Sequence, residues 1–307
     1  MRVTMTVYHE LTPGTVPSAV ALGSFDGIHI GHQAVISGAL EGEAKGLIPT
    51  VFTFEASPLA ELDGNPAAEL MTNEQKIKFM ETLGIRQIYM LPFSSVMNLS
   101  AQEFVDEVLV KICRSKKVCC GFNFHFGHGG KADGETLKKL CAEAGIEAEI
   151  IPAVMAGDEP VSSTRIRALI AAGEVRKAAQ LLGRPFGFDF TVVRGRQLGR
   201  KLGAPTINQP FPKGFILPRF GVYASHVYVD GRRYYGVTNV GVKPTVGSDC
   251  ALAETWIPDF SGDLYDQNIQ VDLLEFVRPE KKFDDISQLR DEIFRNKESA
   301  KNIANHK

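Results

Sequence analysis

Two histidines, three positions apart, stand in a glycine-rich segment near the start of the chain. His29 and His32 belong to residues 23–33 (GSFDGIHIGHQ), which follow an apolar run and precede a segment with helical character. A turn from a strand into a helix offers unpaired backbone N–H groups and the positive end of the helix dipole. Glycine lets a phosphate approach the backbone, and imidazole can donate hydrogen bonds to a phosphoryl group in its transition state. The segment therefore predicts chemistry at the α-phosphate of ATP.

Length and composition are those of an ordinary globular protein. The 307 residues suggest about two domains, and 44% of them are hydrophobic and 23% charged. The net charge of −2 argues against a broad surface for nucleic acid or another polyanion. No apolar run reaches the roughly 18 residues of a membrane span, and residues 1–14 lack the apolar core of a signal peptide. The five cysteines form no CxxC pair, so a reducing, cytoplasmic setting without zinc or disulfides is expected.

The first half of the chain alternates between strand-like and helical segments. The strand-like segments are residues 19–24, 49–54, 87–93, 117–121 and 147–154, and the helical ones are 31–45, 72–83, 100–114 and 135–144. Thr72 and Ser100 each begin a capping box. This β-α-β-α order predicts an α/β domain with a parallel sheet and helices on both faces. Ligands of such sheets bind at the carboxyl ends of the strands, where the histidine segment lies.

After Gly183, short β-rich runs with glycine turns replace the helical pattern. Residues 221–229 alternate in polarity and are followed by Asp230-Gly231, a two-residue hairpin signal. A further strand is predicted over 269–277 and a helix over 284–297. We therefore predict a small antiparallel β-barrel with a terminal helix, and two domains that span residues 1–183 and 184–307.

Two further segments of the first half carry groups suited to a nucleotide. Residues 162–167 (SSTRIR) begin a helix predicted to run to about Leu182, and three hydroxyls followed by Arg167 make an anion pocket. Ser162 or Ser163 could equally be an ordinary N-cap. Residues 121–127 (GFNFHFG) are an aromatic strand end, where Asn123 could hold a phosphate or ribose and a ring could stack on a planar ligand. These phenylalanines could equally belong to the core.

A basic, glycine-rich loop opens the second half. Its cationic residues are Arg194, Arg196, Arg200 and Lys201. They lead into residues 203–208 (GAPTIN), and such a loop suits a nucleotide polyphosphate. Thr206 and Asn208 are two apart, so both face one side of an extended segment, where their oxygens could hold a phosphate-bound Mg²⁺. The alternative is a solvated basic hairpin.

A carboxylate stands beside the single tryptophan of the chain. Glu254 and Trp256 lie in a strand-like segment. A glutamate there could accept the proton of a substrate hydroxyl, and a weak base is sufficient when the transition state of phosphoryl transfer is loose. A surface glutamate is the alternative interpretation.

Together these motifs resemble the prokaryotic bifunctional riboflavin kinase/FMN adenylyltransferase family, also called FAD synthetase, over about residues 15–300. In the first half, three segments match the family patterns G-x-FDG-x-H-x-GH, G-x-[ND]-F-x-FG and SST-x-IR: 23–33, 121–127 and 162–167. In the second half, the matches are 203–208, 221–224, 239–245, Glu254 and 259–265. Several independent motifs in the right order make coincidence a poor explanation. Ala56-Ser57 and Ala204 depart from the pattern, which has Pro-His and an aromatic residue there.

The resemblance implies a Rossmann-like nucleotidyltransferase domain, then a riboflavin kinase-like barrel, and two transferase reactions of FMN and FAD biosynthesis. The C-terminal module would phosphorylate riboflavin with ATP to FMN, with Glu254 as base and Thr206 and Asn208 at Mg²⁺-ATP. The N-terminal module would transfer AMP from ATP to FMN, which gives FAD and pyrophosphate. His29 and His32 would steady the α-phosphate, and flavins would be substrates and products.

Further roles follow from the resemblance position by position. In the adenylyltransferase module, Arg167 would act in catalysis, and the nucleotide-binding residues would be Gly23, Phe25, Asp26, Gly27, Gly31, Asn123, Ser162, Ser163 and Thr164. In the kinase module, the nucleotide- and flavin-binding residues would be Arg200, Lys201, Gly203, Pro205, Thr206, Asn208, Gly221 and Tyr223. The expected partners are riboflavin, FMN, FAD and ATP, with no nucleic acid and no membrane. The sequence does not determine the oligomeric state.

Three alternative functions remain open at this stage. One module could be inactive, which would leave an adenylyltransferase or a kinase alone. The chain could be a non-catalytic flavin-binding protein, although binding alone needs neither a base nor a transition-state clamp. It could also form adenylates as aminoacyl-tRNA synthetases do, since HxGH occurs there too, but no basic RNA-binding surface is predicted.

Overall fold

The strands of the first half form one parallel sheet. The computed structural model describes residues 5–58, 67–195, 199, 203–245, 248–283 and 285–305, and the chain divides into the units Met1–Ser163 and Thr164–Lys307. The strands of the first unit are β1 (Thr6–Tyr8), β2 (Ser18–Leu22), β3 (Ile48–Phe54), β4 (Gln87–Leu91), β5 (Ser115–Gly121), β6 (His125–Phe126), β7 (Ala132–Asp133), β8 (Glu147–Ile151), β9 (Met155–Ala156) and β10 (Glu159–Pro160). Six of them pair in parallel in the order β1-β4-β3-β2-β5-β8. The prediction of a parallel sheet is confirmed, and β1 was not predicted.

Helices cover both faces of this sheet, as the sequence predicts. They are α1 (Ile30–Leu40), continued by the 3-10 turn Glu41–Lys45, α2 (Asn73–Leu83), α3 (Ala101–Glu103), continued by the π-helix Phe104–Ile112, and α4 (Gly134–Glu143). Both capping boxes are present, with Gln75 reaching back to Thr72 and Glu103 to Ser100. Alternate residues of β2 enter two different apolar clusters, one on each face. The central strand is therefore buried on both sides, as in α/β folds.

The single helix predicted from Ser162 to Leu182 is wrong, because the structure has two helices there. They are α5 (Ser163–Ala171) and α6 (Val175–Leu182). Gly173 adopts the left-handed conformation, with φ of +83°, and its N–H donates to the Ile170 carbonyl. Glycine at this position ends a helix without the steric penalty that a side chain would meet, so the chain turns before α6 begins.

The second unit contains a curled antiparallel sheet. Its strands are β11 (Phe186–Phe188), β12 (Thr206–Pro210), β13 (Gly221–Val229), β14 (Arg232–Thr245), β15 (Ser248–Trp256) and β16 (Gln270–Arg278), in the order β11-β16-β13-β14-β15-β12. The chain that continues from edge strand β11 reaches the opposite edge strand, where Val193 N donates to Asn208 O at 2.8 Å. This bridge curls the sheet upon itself, which confirms the predicted barrel-like antiparallel architecture.

The predicted hairpin and terminal helix are both present. Asp230 and Gly231 have φ of +49° and +74°, the two positive values that a type I′ turn requires. The terminal helix α7 (Ile286–Asn305) is longer than predicted and contacts the sheet. Trp256 packs edge-to-face on Phe294 of this helix, with ring centroids 5.7 Å apart. In the part of the chain that the structure describes, no helix is long and apolar enough to cross a membrane.

Candidate active sites

The turn between β2 and α1 has an unusual backbone. Phe25 and Ile28 have positive φ values of +50° and +38°, and Gly27 between them has +79°. A positive φ is costly for a residue with a side chain, most of all for a β-branched one. Phe25 and Ile28 are fully buried, so core packing holds them in this conformation. The turn directs the chain so that α1 begins immediately after His29.

His29 is the N-cap of α1 and pairs with His32. Its Nδ1 accepts a hydrogen bond from the His32 backbone N–H at 3.2 Å, so in the neutral ring the proton belongs on Nε2. The two imidazoles are stacked, with centroids 3.6 Å apart and planes 17° apart. Burial, and then the charges of His29 and Lys76, hold the pKa of His32 well below its ordinary value. The pair therefore places two imidazole rings at a helix N-terminus, and the lowered pKa of His32 favours its neutral form.

Further hydrogen bonds fix this turn in place. Asp26 Oδ1 accepts from the Leu70 N–H at 2.9 Å, and the Asp26 carbonyl accepts from Ser163 Oγ at 2.9 Å. Gln33 Nε2 donates to the Ile28 carbonyl at 2.9 Å. The structure thus brings Ser163 of the predicted hydroxyl motif to the histidine turn, although Ser163 is 137 positions away from Asp26.

The other residues of the hydroxyl motif, 162–167, lie next to Ser163 at the start of α5. Ser162 directly precedes α5, and Thr164 and Arg167 lie in its first turns. Thr164 and Arg167 belong to the second compact unit of the chain.

Two glycines of the histidine segment allow close packing. A Cβ atom on Gly23 would lie 3.0 Å from the Phe25 ring, and one on Gly31 would lie 3.2 Å from the His29 ring. Asn123 is exposed just beyond the carboxyl end of β5, the strand that pairs with β2. Phe122 beside it is 53% exposed, as an aromatic ring that stacks on a ligand would be. Both segments therefore begin at the same edge of the sheet.

One buried residue at this edge was not predicted. Lys76 of α2 is 6% exposed, and its Nζ donates to the carbonyl oxygens of Ser24 and Phe54. The only sequence signal is its position four residues before Met80, on the face of α2 that packs on the core. A lysine on a buried helix face is rare and calls for a reason.

In the second unit, the predicted base lies in a row of polar residues across neighbouring strands. Asn208 of β12 is opposite Glu254 of β15, and Glu254 is opposite Asn239 of β14. Directly opposed residues project to the same face, with Cβ atoms about 5 Å apart. Thr206 is two residues before Asn208 and shares that face. Asn239 was not predicted as a site residue, although it begins the matched segment 239–245.

The loop before β12 packs directly on Asn208. A Cβ atom on Gly195 would lie 2.6 Å from Asn208 Nδ2, so glycine is needed for this contact. The Arg194 guanidinium lies over the Tyr265 ring, 4.6 Å from its centroid. Gly203 turns the chain with φ of +78° before the exposed Pro205. The predicted contacts of Arg196, Arg200 and Lys201 lie outside the described residues.

Two predicted kinase residues are found in the packing of β13. A Cβ atom on Gly221 would overlap the Arg278 carbonyl oxygen, and its φ is +147°. Tyr223 is fully buried, and its hydroxyl donates to the Arg219 carbonyl at 2.5 Å. Burial raises the pKa of Tyr223. The structure thus gives both residues a packing role.

Gly195→Ala is expected to lower the rate of the reaction catalysed by the second unit by about tenfold or more, since small displacements of positioning groups are costly. The new methyl group must move Asn208 or the loop, because they already touch. The rate of the first unit's reaction should not change, and Lys213→Ala, at an exposed position of the same unit, provides the comparison. An unchanged rate in Gly195→Ala would show that the contact between this loop and Asn208 is not needed for the reaction.

Comparison with known proteins defines the class of each unit. The family model for FAD synthetase matches residues 13–165, and that for riboflavin kinase matches residues 182–304. The first unit therefore has the fold and motifs of a nucleotidyltransferase, and the second those of a flavokinase.

The chain belongs to the bifunctional riboflavin kinase/FMN adenylyltransferase family. It is 34% identical to the member from Listeria monocytogenes, with 93% of each chain covered. It is 33% identical to the members from Bacillus subtilis, with 95% of this chain and 94% of the relative covered, and Escherichia coli K12, with 95% of each covered.

A solved structure of similar length has the same fold under another name. It is described as a macrolide-efflux protein from Streptococcus pneumoniae, with a TM-score of 0.86, 30% identity and coverage of 98% of this chain and 99% of that one. The word efflux describes that protein, and we do not transfer it to this chain.

Proposed function

We propose that this chain phosphorylates riboflavin with ATP to FMN, and then adenylylates FMN with ATP to FAD and pyrophosphate. The observation that carries the proposal is that one chain matches both family models, and that each matched region contains its own set of reactive side chains. The histidine pair suits attack at an α-phosphate, and the Asn208–Glu254–Asn239 row suits transfer of a terminal phosphoryl group.

In the kinase reaction, Glu254 accepts the proton of the terminal ribityl hydroxyl of riboflavin. The hydroxyl oxygen forms a bond to the γ-phosphorus of ATP, and the bond from that phosphorus to the β-phosphate oxygen breaks, so that ADP leaves. A carboxylate is a sufficient base because the proton is lost late in a loose transition state. Asn208 and Asn239 flank Glu254 on the neighbouring strands, and the register of the sheet places the carboxylate between them.

The residues Thr206 and Asn208 suit a magnesium ion that accompanies ATP. Both carry side-chain oxygens on one face of β12, and Mg²⁺ takes oxygen ligands from few protein groups, with phosphates and water completing its shell. Bound there, the ion would neutralise charge on the transferred phosphate. The tight contact between Gly195 and Asn208 leaves that amide little freedom, which keeps its oxygen in place.

In the adenylyl transfer, a phosphate oxygen of FMN attacks the α-phosphorus of ATP. The bond from the α-phosphorus to the oxygen of the β-phosphate breaks, and pyrophosphate leaves without a covalent enzyme intermediate. Nε2–H of His29 donates to the α-phosphate as negative charge shifts in the transition state, and neutral His32 keeps His29 aligned by stacking. Ser162 and Ser163, at the start of α5, bind the departing phosphates.

We also infer where one module ends and where the protein acts. The riboflavin kinase match begins at residue 182, which supports a functional boundary near Gly183, although the compact units divide earlier, between Ser163 and Thr164. Cys113, Cys119, Cys120 and Cys141 are buried free thiols, which suits a reducing compartment such as the cytoplasm. ATP and flavins are the small-molecule partners.

The test is chromatography of the flavin products made by the pure protein with ATP and Mg²⁺, starting from riboflavin and separately from FMN. FAD from both substrates supports both activities. FMN that accumulates without FAD would show an inactive first module, with Ala56-Ser57 as the first suspect. FAD from FMN but no product from riboflavin would show an inactive kinase, with Ala204 as the suspect.

A further inference from the structure

A buried ammonium group lies beside the histidine turn, and none of the matched motifs includes it. Lys76 Nζ donates to the carbonyl oxygens of Ser24 at 3.3 Å and of Phe54 at 3.4 Å. The carboxylates of Asp26 and Glu69 favour its charged form through space. Both hydrogen-bond acceptors of Lys76 are neutral carbonyl oxygens, whereas the two carboxylates act on it through space.

These two carbonyls mark the carboxyl ends of neighbouring parallel strands. Phe54 is the last residue of β3, and Ser24 lies two residues beyond the end of β2. Thr53 Oγ1 donates to the same Ser24 carbonyl at 3.0 Å. Lys76 thus links helix α2 to the turn that begins the histidine segment, at the edge where sheets of this kind bind ligands.

Burying an ammonium group to make such a link costs free energy. Removing a charge from water is costly unless an opposite charge is in contact, and burial accordingly lowers the pKa of Lys76. An apolar side chain on this face of α2 would cover the sheet without that cost. Buried charges with such perturbed titration concentrate at sites that handle charged ligands, and a nucleotide polyphosphate is one.

We propose that Lys76 is a positioning residue for adenylyl transfer, which fixes the Gly23–Gly27 turn through the Ser24 carbonyl and places a positive charge at the start of the histidine segment. The proposal rests on the proposed adenylyltransferase activity of the first unit. The charge favours an anionic ligand at the strand ends, and it is placed there before the ligand arrives, so that little reorganisation is needed.

The same charge acts on His32. The charged or titratable groups that act on this imidazole are His29 from the start of α1 and Lys76 from α2, and both disfavour its protonation. Asp26 and Glu69 act in turn on Lys76. Removal of the lysine charge therefore raises the pKa of His32. If Lys76 were only a structural link, its replacement would leave the pKa of His32 unchanged.

The test compares Lys76→Met with Lys78→Met, which removes the same charge from an exposed position of the same helix. In Lys76→Met we expect kcat for FAD formation from FMN to fall about 10- to 100-fold, with the KM for FMN changed less than about threefold. NMR titration of the ligand-free protein should show the pKa of His32 raised by about 0.5 or more. Riboflavin phosphorylation should stay at the wild-type rate, and Lys78→Met should change none of these values.

Two results would overturn the proposal: wild-type kcat in Lys76→Met, or a loss of rate with no change in the pKa of His32. If Lys76→Met does not fold, Lys76→Gln removes the charge, keeps a donor for the two carbonyls, and is judged by the same two measurements. A wild-type protein that makes no FAD from FMN contradicts the proposed function, and the His32 titration then still decides whether Lys76 acts on the histidine pair.

Discussion

Glu254→Gln is expected to lower kcat for riboflavin phosphorylation by about 10²–10⁴, the range that a general base contributes. Glutamine keeps the size of the side chain but cannot accept the substrate proton. Glu254 is half-buried between Asn208 and Asn239 in an uninterrupted antiparallel register, so the substitution should leave the sheet intact. The measurement is the initial rate of FMN formation from riboflavin and Mg²⁺-ATP.

The same preparation supplies an internal control for the kinase prediction. FAD formation from FMN should stay at the wild-type rate, because Glu254 belongs to the second unit. Glu298→Gln, on the exposed face of α7, removes an equal charge from the same unit and should leave both reactions unchanged. If Glu254→Gln phosphorylates riboflavin within about tenfold of the wild-type rate, Glu254 is not the base.

His29→Asn is expected to lower kcat for FAD formation from FMN by about 10²–10³, as the loss of one donor to a developing oxyanion does elsewhere. Asparagine can still cap α1 by accepting from the His32 N–H, so the helix should keep its N-terminus. It cannot reach the position of the imidazole Nε2–H. His29→Asn therefore removes the Nε2–H donor and keeps the helix cap, whereas His29→Ala would remove both.

Riboflavin phosphorylation by His29→Asn should equal that of the wild type. His128→Asn, at an exposed position of the same unit, is the matched control and should leave both reactions intact. If His29→Asn and Glu254→Gln both abolish the same reaction, the assignment of one reaction to each module is incorrect. A normal rate of FAD formation in His29→Asn would exclude His29 as a donor.

Local patterns in the sequence were sufficient for most of the secondary structure. Capping boxes at Thr72 and Ser100 act within one helical turn, and the Asp230-Gly231 hairpin needs only two positive φ values, so nearby residues determine each of them. The break at Gly173 was missed, because an isolated glycine inside a helical pattern is tolerated and does not by itself mark the end of a helix. The terminal helix is longer than predicted, because contacts with the sheet stabilise its last turns.

The site residues also divide into those that local spacing predicts and those that depend on tertiary contacts. Spacing placed His29 and His32 at a helix N-terminus and put Thr206 and Asn208 on one face of a strand, because both relations hold within a few residues. Whether these groups carry out the two reactions is what the variants above test. The binding role that the family motifs imply for Tyr223 stays a prediction, and in the structure its hydroxyl donates to the Arg219 carbonyl.

The sequence by itself determined the fold class, the order of the elements and the family, because periodicity, turn residues and motif spacing are local properties. Only the tertiary structure decided that Asn239 lies opposite Glu254, and that Lys76 reaches Ser24 from 52 positions away. Strand register and the burial of a charge depend on which segments meet across the sheet. That choice is made by the packing of the whole core, and no short window of residues contains it.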